Sequence, residues 1–219
     1  MEGRKKAYMS IKARYETYIG RQYRRPTGFV GRIIGNRMAE QHAPENAWSV
    51  SLLSVQPNDH ILEIGFGPGT TIQRLASLAS EGYVAGIDLA PAMIQLARKR
   101  NTASIQAGRV SLTYGDAAKL PYSENTFDKV LSIHCLYFWP DPLQVLREIQ
   151  CVLKPGGKLV LTLLPKEKWP GDGQGTPECR VYRGNDVVKL MLEAGFSDAD
   201  VKPTPDSAPF RELAVIGIK

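Results

Sequence analysis

The sequence predicts an α/β fold in which helices cover both faces of a mostly parallel sheet. Short apolar runs alternate with longer amphipathic segments from residue 60 to 163, and a glycine-rich turn follows the first run at residues 65–69. Alternation at this spacing is typical of parallel strands joined by helical crossovers. Since 43% of the 219 residues are hydrophobic, the chain can bury a substantial core. We therefore expect one such domain, preceded by an N-terminal extension.

The first element in order is a basic helical extension, which we predict for residues 1–44. Apolar and aromatic side chains recur at intervals of three and four across residues 6–23, as on an amphipathic helix: Tyr8, Ile11, Tyr15, Tyr18 and Ile19. A second helical pattern leads to a break near Pro44, and a third covers roughly residues 45–54. The remaining chain, residues 45–219, is assigned to the main domain.

The main domain is predicted to alternate strands with helices up to residue 163 and to end differently. The predicted strands cover residues 60–64, 83–88, 110–114, 128–133 and 158–163, and the predicted helices cover residues 70–80, 91–101 and 141–153. A loop rich in Gly and Pro follows at residues 165–177. After it we expect a helix near 184–194 and two further strands, at 198–203 and 210–218.

The glycine-rich turn after the first strand is the clearest binding motif. Residues 61–69 read Ile-Leu-Glu-Ile-Gly-Phe-Gly-Pro-Gly, and Asp88 closes the next strand nineteen residues later. Glycines allow close approach of a ligand to the backbone, and an acid after the second strand accepts hydrogen bonds from a ribose. Because position 70 is Thr70, the spacing departs from the Gly-x-Gly-x-x-Gly of dinucleotide sites. The carboxylate of Glu63 would repel a pyrophosphate and attract a cationic ligand.

These motifs resemble those of the class I S-adenosylmethionine-dependent methyltransferases, in particular the small-molecule, type 11-like members. The matching segments occur in the order of that family: Glu63–Gly69, Gly86–Leu89 with Pro91–Met93, Gly115–Ala117 with Leu120–Tyr122, Thr126–Ser132, and Val152–Leu159. The resemblance covers roughly residues 45–219. It implies a Rossmann-like, seven-stranded, mostly parallel sheet with helices on both faces and an antiparallel C-terminal strand hairpin.

The resemblance also implies S-adenosyl-L-methionine as cofactor and S-adenosyl-L-homocysteine as product. The expected cofactor-binding residues are Glu63, Gly65, Gly67, Gly69, Thr70, Asp88, Leu89, Met93, Asp116, Ala117 and Ile133. Asp88 is assigned to the ribose, Asp116 to the adenine amine and Met93 to the adenine face. Other roles stay open: Asp88 could cap the next helix, Asp116 could be a turn residue, and Met93 could belong to the core. Glu63 could order the loop without touching the ligand.

Candidate catalytic and acceptor-binding residues are fewer. His134 is a candidate base because it is the only histidine predicted at the strand ends, although it could instead contact a ligand or simply pack. Tyr15, Tyr18 and Tyr137 are candidate acceptor contacts, with the first two in a lid or in a permanently docked helix. Tyr137 could equally be packing. No metal site is predicted, because no cluster of acids and Asn appears beyond the cofactor motifs.

Charge and cysteine content limit the partners, metal sites and cellular location that we expect. Residues 1–40 hold ten Lys or Arg against three Glu, which accounts for the net charge of +6. A solvated basic helix explains this excess, and contact with an anionic membrane is the alternative; nucleic acid as a partner is disfavoured. Three cysteines without a Cys-x-x-Cys pair indicate neither a disulfide framework nor a zinc site. Since no signal-type apolar core follows Met1, we expect a cytoplasmic protein. We expect it to be a monomer or a homodimer.

The leading functional hypothesis is transfer of a methyl group from S-adenosylmethionine to an O or N atom of a small metabolite by in-line displacement. Positioning can supply most of the acceleration, so a strong base is optional. Three alternatives stay open. The enzyme could act at a membrane surface on a phospholipid headgroup or quinone-like lipid, it could methylate RNA, or it could bind the cofactor without catalysis.

Overall fold

The structure is a computed structural model that describes residues 26–170 and 179–219. The predicted helix at residues 6–23, with Tyr15 and Tyr18, lies outside the described residues, as does part of the predicted loop at 165–177. No helix within the described residues is long and apolar enough to span a membrane.

Helices and strands alternate along the chain much as the sequence predicts. In the described residues the helices are α1 (Gly28–Gln41), α2 (Ala43–Leu53), α3 (Thr70–Leu78), α4 (Pro91–Arg100), α5 (Thr102–Gln106), α6 (Pro142–Val152) and α7 (Gly184–Glu193). The strands are β1 (His60–Ile64), β2 (Tyr83–Asp88), β3 (Val110–Tyr114), β4 (Phe127–Ile133), β5 (Leu153–Leu163), β6 (Asp198–Pro203) and β7 (Leu213–Ile218). Short 3₁₀ helices cover Leu136–Phe138 and Lys166–Lys168.

The described strands form one seven-stranded sheet in the order β3-β2-β1-β4-β5-β7-β6. Strands β1 to β5 pair in parallel, whereas β7 runs antiparallel to both β5 and β6. The predicted fold class, including the antiparallel C-terminal hairpin, is therefore confirmed. Strand order reverses between β1 and β4, and a crevice at the carboxyl ends of the strands is the usual ligand site at such a reversal.

Each face of the sheet has its own apolar layer. Leu62 packs with residues of α6 and α7 on one face, and its neighbour Ile61 packs with residues of α2, α3 and α4 on the other. Adjacent residues of a strand point to opposite faces, so a strand covered on both sides reads as a continuous apolar run. This explains why β1 to β4 were predicted within one residue of their observed ends.

The largest differences from the predicted boundaries are at the starts of β5 and β7. The predicted break near Pro44 is confirmed, since α1 ends at Gln41 and α2 begins at Ala43; Pro44 lies in the first turn of α2, where its missing N–H removes no helical hydrogen bond. Strand β5 begins at Leu153, five residues before the predicted start at 158, because an irregularity in its pairing with β4 accommodates the Gly156 turn. Strand β7 begins at Leu213 and not at 210, and α5 was not predicted.

The two described N-terminal helices pack directly on the main domain. On the sheet side, Ser49 of α2 is buried and its Oγ lies 2.7 Å from Oγ1 of Thr162 in β5. Helix α1 packs on α4, where a Cβ placed on Gly35 would lie 2.5 Å from Sδ of Met93. Gly35 thus allows the close approach of the two helices, and α1 lies over the end of the sheet where the ligand site is expected.

Candidate active site

The glycine turn between β1 and α3 uses its three glycines for different purposes. All three have positive φ angles, of 74° at Gly65, 52° at Gly67 and 77° at Gly69, which favour residues without a Cβ. A Cβ on Gly65 would collide with Cys135, and one on Gly69 would lie 2.6 Å from the Cβ of Ala97. A Cβ on Gly67 would meet nothing within 4 Å. Gly67 is therefore the member of the turn with open space beside it.

Asp88 ties this turn to the start of α4. Its Oδ2 accepts a hydrogen bond from the N–H of Gly67 at 2.9 Å, and its Oδ1 accepts one from the N–H of Ala90 at 2.7 Å. Burial raises the pKa of Asp88, while these N–H donors oppose the rise. The carboxylate is thus fixed at the carboxyl end of β2, in the position expected of a ribose-binding acid.

Glu63 is a buried acid with an unpaired oxygen. The residue is 3% exposed, and its Oε2 has no hydrogen-bond partner. Burial, and to a smaller degree the neighbouring charge of Asp88, raises the pKa of Glu63 well above its usual value. A cationic ligand group beside this carboxyl would satisfy the oxygen and favour the charged form.

A cavity of about 110 Å³ lies between the glycine turn, the end of β4 and the N-terminal helices. The predicted site residues that line it are Glu63, Gly65, Thr70, Met93, Ile133 and His134. Helices α1 and α2, with the residue between them, supply Gly35, Met38, Ala39, His42 and Asn46, which sequence reasoning missed. No local pattern marks these five, because their place at the cavity depends on how α1 packs across α4.

The remaining predicted cofactor residues lie at the open end of the site. Leu89 is 41% exposed, and Asp116 is exposed with its Oδ1 accepting the N–H of Ala118 at 3.0 Å. Ala117 is buried between them and the core. The site therefore has an enclosed end at Glu63 and a solvent-accessible end after β2 and β3, and its adenine contacts stay predictions.

His134 occupies a strained position directly after β4. Its φ is 56°, its Nδ1 lies 3.2 Å from the hydroxyl of Tyr137, and its Nε2 is buried without a hydrogen-bond partner. Burial, with a smaller contribution from His42, lowers the pKa of His134 to about 3. Such an imidazole is neutral and a weak proton acceptor, and its Nε2 is free to bind another group.

Tyr137, predicted as an acceptor contact, is buried below His134. Its hydroxyl accepts a hydrogen bond from the N–H of Leu164 and meets Nδ1 of His134. Its ring packs against Trp169, and burial raises the pKa of the phenol. In this arrangement Tyr137 orients the imidazole of His134; contact with an acceptor stays a prediction.

Three further polar residues surround His134, and sequence reasoning missed all of them. His42, between α1 and α2, places its ring 4.8 Å from that of His134 and its Nδ1 2.9 Å from Oε1 of Glu45. Glu212, just before β7, places Oε1 3.8 Å from Nε2 of His134. Because β7 is antiparallel to β5, its first residues lie at the carboxyl end of β5, and this topology was the available signal for Glu212.

The cysteines take no visible part in this site. Cys135, Cys151 and Cys179 are all free thiols. Cys135 lies beneath the glycine turn, within 3.4 Å of the carbonyl oxygen of Ile64, and burial raises the pKa of its thiol to about 12. A thiol with this pKa is protonated and unreactive at neutral pH.

Comparison with known proteins identifies the fold and its motifs. The family model described as "Methyltransferase domain" matches residues 62–161. The uncharacterized methyltransferase YdaC of Bacillus subtilis (strain 168) is 31% identical over 170 residues, covering 78% of this chain and 89% of that protein. The fold and the motifs thus define a class I S-adenosylmethionine-dependent methyltransferase. Within that class, the chain belongs to the methyltransferase family of its relative YdaC.

Two further proteins are similar over different extents. A demethylmenaquinone methyltransferase of Lactiplantibacillus plantarum is 38% identical over 113 residues, which cover 51% of this chain and 48% of that protein. The chain thus spans about half the length of that relative. The crystal structure of a SAM dependent methyltransferase from Aquifex aeolicus has a TM-score of 0.66 at 22% identity, covering 80% of this chain and 88% of that chain. That likeness shows the fold alone.

The methyl donor of the enzyme is S-adenosylmethionine, and the described residues fit it. The unpaired Oε2 of Glu63 suits a cationic group at the enclosed end of the site. Asp88 holds a carboxylate at the end of β2, where the resemblance predicts the ribose, and the open space beside Gly67 leaves room for a ligand along the turn. These residues are therefore the candidates for the donor site.

Proposed function

We propose that the enzyme transfers the methyl group of S-adenosylmethionine to an O or N atom of a small metabolite. The observation that supports this most directly is the cavity that Glu63 of β1, His134 after β4 and His42 after α1 line together. The acceptor atom attacks the methyl carbon in line with the carbon–sulfur bond. That bond breaks, and sulfur keeps the electron pair as S-adenosylhomocysteine leaves.

The residues divide into two groups in this proposal. Glu63 and the glycine turn hold the methionine part of the donor, while Asp88, Leu89, Met93 and the segment at Asp116 and Ala117 hold its adenosine. His134, with His42 and Asn46, faces the acceptor. Holding the two reactants in line supplies up to roughly 7–11 kcal/mol of the lowered barrier in favourable cases. The apolar lining from Met38 and Ala39 excludes water from the reacting atoms.

We further propose that α1 acts as a lid over the donor. It lines the enclosed end of the cavity and is joined to α4 by two polar contacts: Arg32 Nη2 donates to Oε1 of Gln95 at 2.6 Å, and Arg100 Nη2 lies 3.5 Å from Oδ1 of Asn36. A lid of this kind opens to admit the donor and closes over it once it is bound. Amide hydrogen exchange in residues 28–41 should slow when S-adenosylhomocysteine is present. Equal exchange rates with and without this ligand would mean a permanently docked helix.

Calorimetric titration followed by an acceptor screen tests the main proposal. We expect S-adenosylmethionine and S-adenosylhomocysteine to bind with micromolar dissociation constants and NADH not to bind. A screen with labelled methyl donor should then yield a methylated hydroxyl or amine. Methyl transfer found only on carbon, or none with any hydroxyl or amine tested, would contradict the proposed acceptor class.

A quinone-like acceptor at a membrane surface is the second candidate. The similarity to a demethylmenaquinone methyltransferase and the ten basic residues within positions 1–40 favour it. Co-sedimentation of the full chain with anionic vesicles, compared with zwitterionic vesicles and with the Lys5→Glu/Lys6→Glu variant, tests this candidate. Equal sedimentation with both kinds of vesicle would remove it.

A further inference from the structure

Four side chains with metal-binding atoms converge beside the cavity. They are His42, Glu45, His134 and Glu212, and their ligand atoms all lie within 4.8 Å of one another. Three distant parts of the chain supply them: the junction of α1 and α2, the end of β4 and the residue before β7. We propose that these four residues bind one divalent transition-metal ion, of the Zn²⁺, Mn²⁺ or Fe²⁺ type.

Unpaired buried atoms in the cluster are the first argument. Glu45 is 5% exposed and its Oε2 has no hydrogen-bond partner, and Nε2 of His134 is likewise buried and unpaired. Buried polar atoms almost always have a partner, because leaving one without a partner costs about 1–3 kcal/mol. Two such atoms in one cluster indicate a missing ligand, and a cation would satisfy both.

The charges of the cluster are the second argument. Glu45 and Glu212 are both buried, and among the described residues each carboxylate lies beside a histidine and forms no salt bridge with Lys or Arg. Burying two carboxylates in one place without a strong positive charge is unfavourable. A divalent cation balances the two carboxylates and leaves the histidines neutral, the form in which imidazole binds metals.

The distances and donor types limit the kind of ion. Nδ1 of His42 lies 2.9 Å from Oε1 of Glu45, and Nε2 of His134 lies 3.8 Å from Oε1 of Glu212. Ligands that each lie about 2.0–2.2 Å from a metal are separated by roughly 3–4 Å, so small side-chain rotations complete the site. Two imidazoles with two carboxylates suit Zn²⁺, Mn²⁺ and Fe²⁺, whereas Ca²⁺ and Mg²⁺ prefer oxygen alone.

Neighbouring groups hold two of the proposed ligands in place. The hydroxyl of Tyr137 can accept a hydrogen bond from the N–H at Nδ1 of His134, which leaves the Nε2 lone pair for the metal. Oε2 of Glu212 accepts the N–H of Arg211 at 2.9 Å. Hydrogen bonds of this kind, made to the atom that does not bind the metal, orient ligands in known metal sites.

The proposed ion would lie next to the methyl acceptor, since His42 and His134 also line the cavity. This role rests on the proposed methyl transfer, whereas metal binding itself does not. For a hydroxyl acceptor, binding to the ion would favour loss of the hydroxyl proton to solvent and leave the oxygen to attack the methyl carbon. The prediction from the sequence that the protein has no metal site would then be wrong.

Metal titration of the stripped full-length protein tests the proposal. After treatment with a chelator, the protein is dialysed against Zn²⁺, Mn²⁺, Fe²⁺ or Co²⁺ and its metal content is measured by mass spectrometry. We expect one equivalent of metal and, for Co²⁺, visible absorption from bound nitrogen and oxygen ligands. Glu45→Gln and His134→Asn should weaken binding by roughly 100-fold or more, since each removes a direct ligand. Asn is chosen at 134 because it tolerates the positive φ.

His60→Ala is the matched control, because His60 is exposed at the start of β1, the opposite end of the strands. Its metal affinity should equal that of the unchanged protein. Circular dichroism shows whether each variant is folded. The proposal would be overturned if none of the four metals bound stoichiometrically. It would also be overturned if the folded Glu45→Gln and His134→Asn variants bound metal as tightly as the unchanged protein. Calorimetry with S-adenosylhomocysteine on the same stripped sample separates this failure from failure of the donor site.

Discussion

At the scale of single residues, burial decides the charge of the Glu63 carboxyl. Its pKa in the folded protein lies well above the usual value, so the folded state keeps a proton that the unfolded state releases. Stability from this group is fully present below the ordinary pKa, near 4.3, and is lost as the pH rises through the raised pKa. At neutral pH, Glu63 therefore destabilises the protein when no ligand is bound.

Glu63→Gln should make the protein more stable but weaken its binding of the methyl donor. We expect the free energy of unfolding near neutral pH to rise by about 1 kcal/mol and the affinity for S-adenosylmethionine to fall by about tenfold, since a cationic group loses its carboxylate. Urea denaturation over a pH series and calorimetry measure the two effects. Glu193→Gln, at an exposed position of α7, is the control. Unchanged donor affinity in Glu63→Gln would exclude contact with the ligand.

The different surroundings of Gly65 and Gly67 predict different effects of the same substitution. Gly65→Ala should lower the free energy of unfolding more than Gly67→Ala, because its Cβ would collide with Cys135 in addition to the strain of a positive φ. The strain alone costs about 1–2 kcal/mol. Gly67→Ala should mainly weaken donor binding. Urea denaturation measures stability, and the double variant Gly65→Ala/Cys135→Ala should recover part of the loss.

At the scale of elements, α2 is attached to the sheet by a buried hydroxyl pair. Oγ of Ser49 donates to the carbonyl oxygen of Glu45 at 2.7 Å and meets Oγ1 of Thr162. Ser49→Ala should lower the free energy of unfolding by about 1–3 kcal/mol, because the Thr162 hydroxyl is left unpaired. Adding Thr162→Val should cost less than the sum of the two single changes. Urea denaturation of the four proteins measures this coupling.

Ser51→Ala controls for the loss of a serine from the same helix. Ser51 is exposed and bonds only within α2 in the contacts described, to the carbonyl oxygen of Trp48. We expect a change within about 0.5 kcal/mol. An equal effect of Ser49→Ala and Ser51→Ala would show that the pair with Thr162 does not hold α2 on the sheet.

The sequence was informative about the elements to different degrees. Strands β1 to β3 were predicted to the residue, because buried apolar residues recur along each strand and a glycine or an acid marks its end. The start of β5 was missed because its irregular pairing with β4 has no signal in apolar periodicity. Likewise, His42 and Glu45 were not predicted at the site, since their position depends on the packing of two helices against the end of the sheet.

At the scale of the whole molecule, ligand binding should raise thermal stability. S-adenosylhomocysteine at 100 times its dissociation constant stabilises a protein that binds it only when folded by about 2.7 kcal/mol. For a chain of 219 residues this corresponds to a rise in melting temperature of roughly 5–10 °C. Differential scanning fluorimetry measures it, with NADH as control. An equal rise with NADH would contradict the donor assignment.

The position of β7 affects how the protein reaches its native state during synthesis. This strand is the last of the sheet along the chain, yet it lies between β5 and β6. Until it leaves the ribosome, both neighbours expose unpaired backbone groups to other chains, and such edges promote aggregation. We therefore expect the half of the sheet beyond β4 to form only after residues 213–218 emerge, and the nascent chain to depend on chaperones until then.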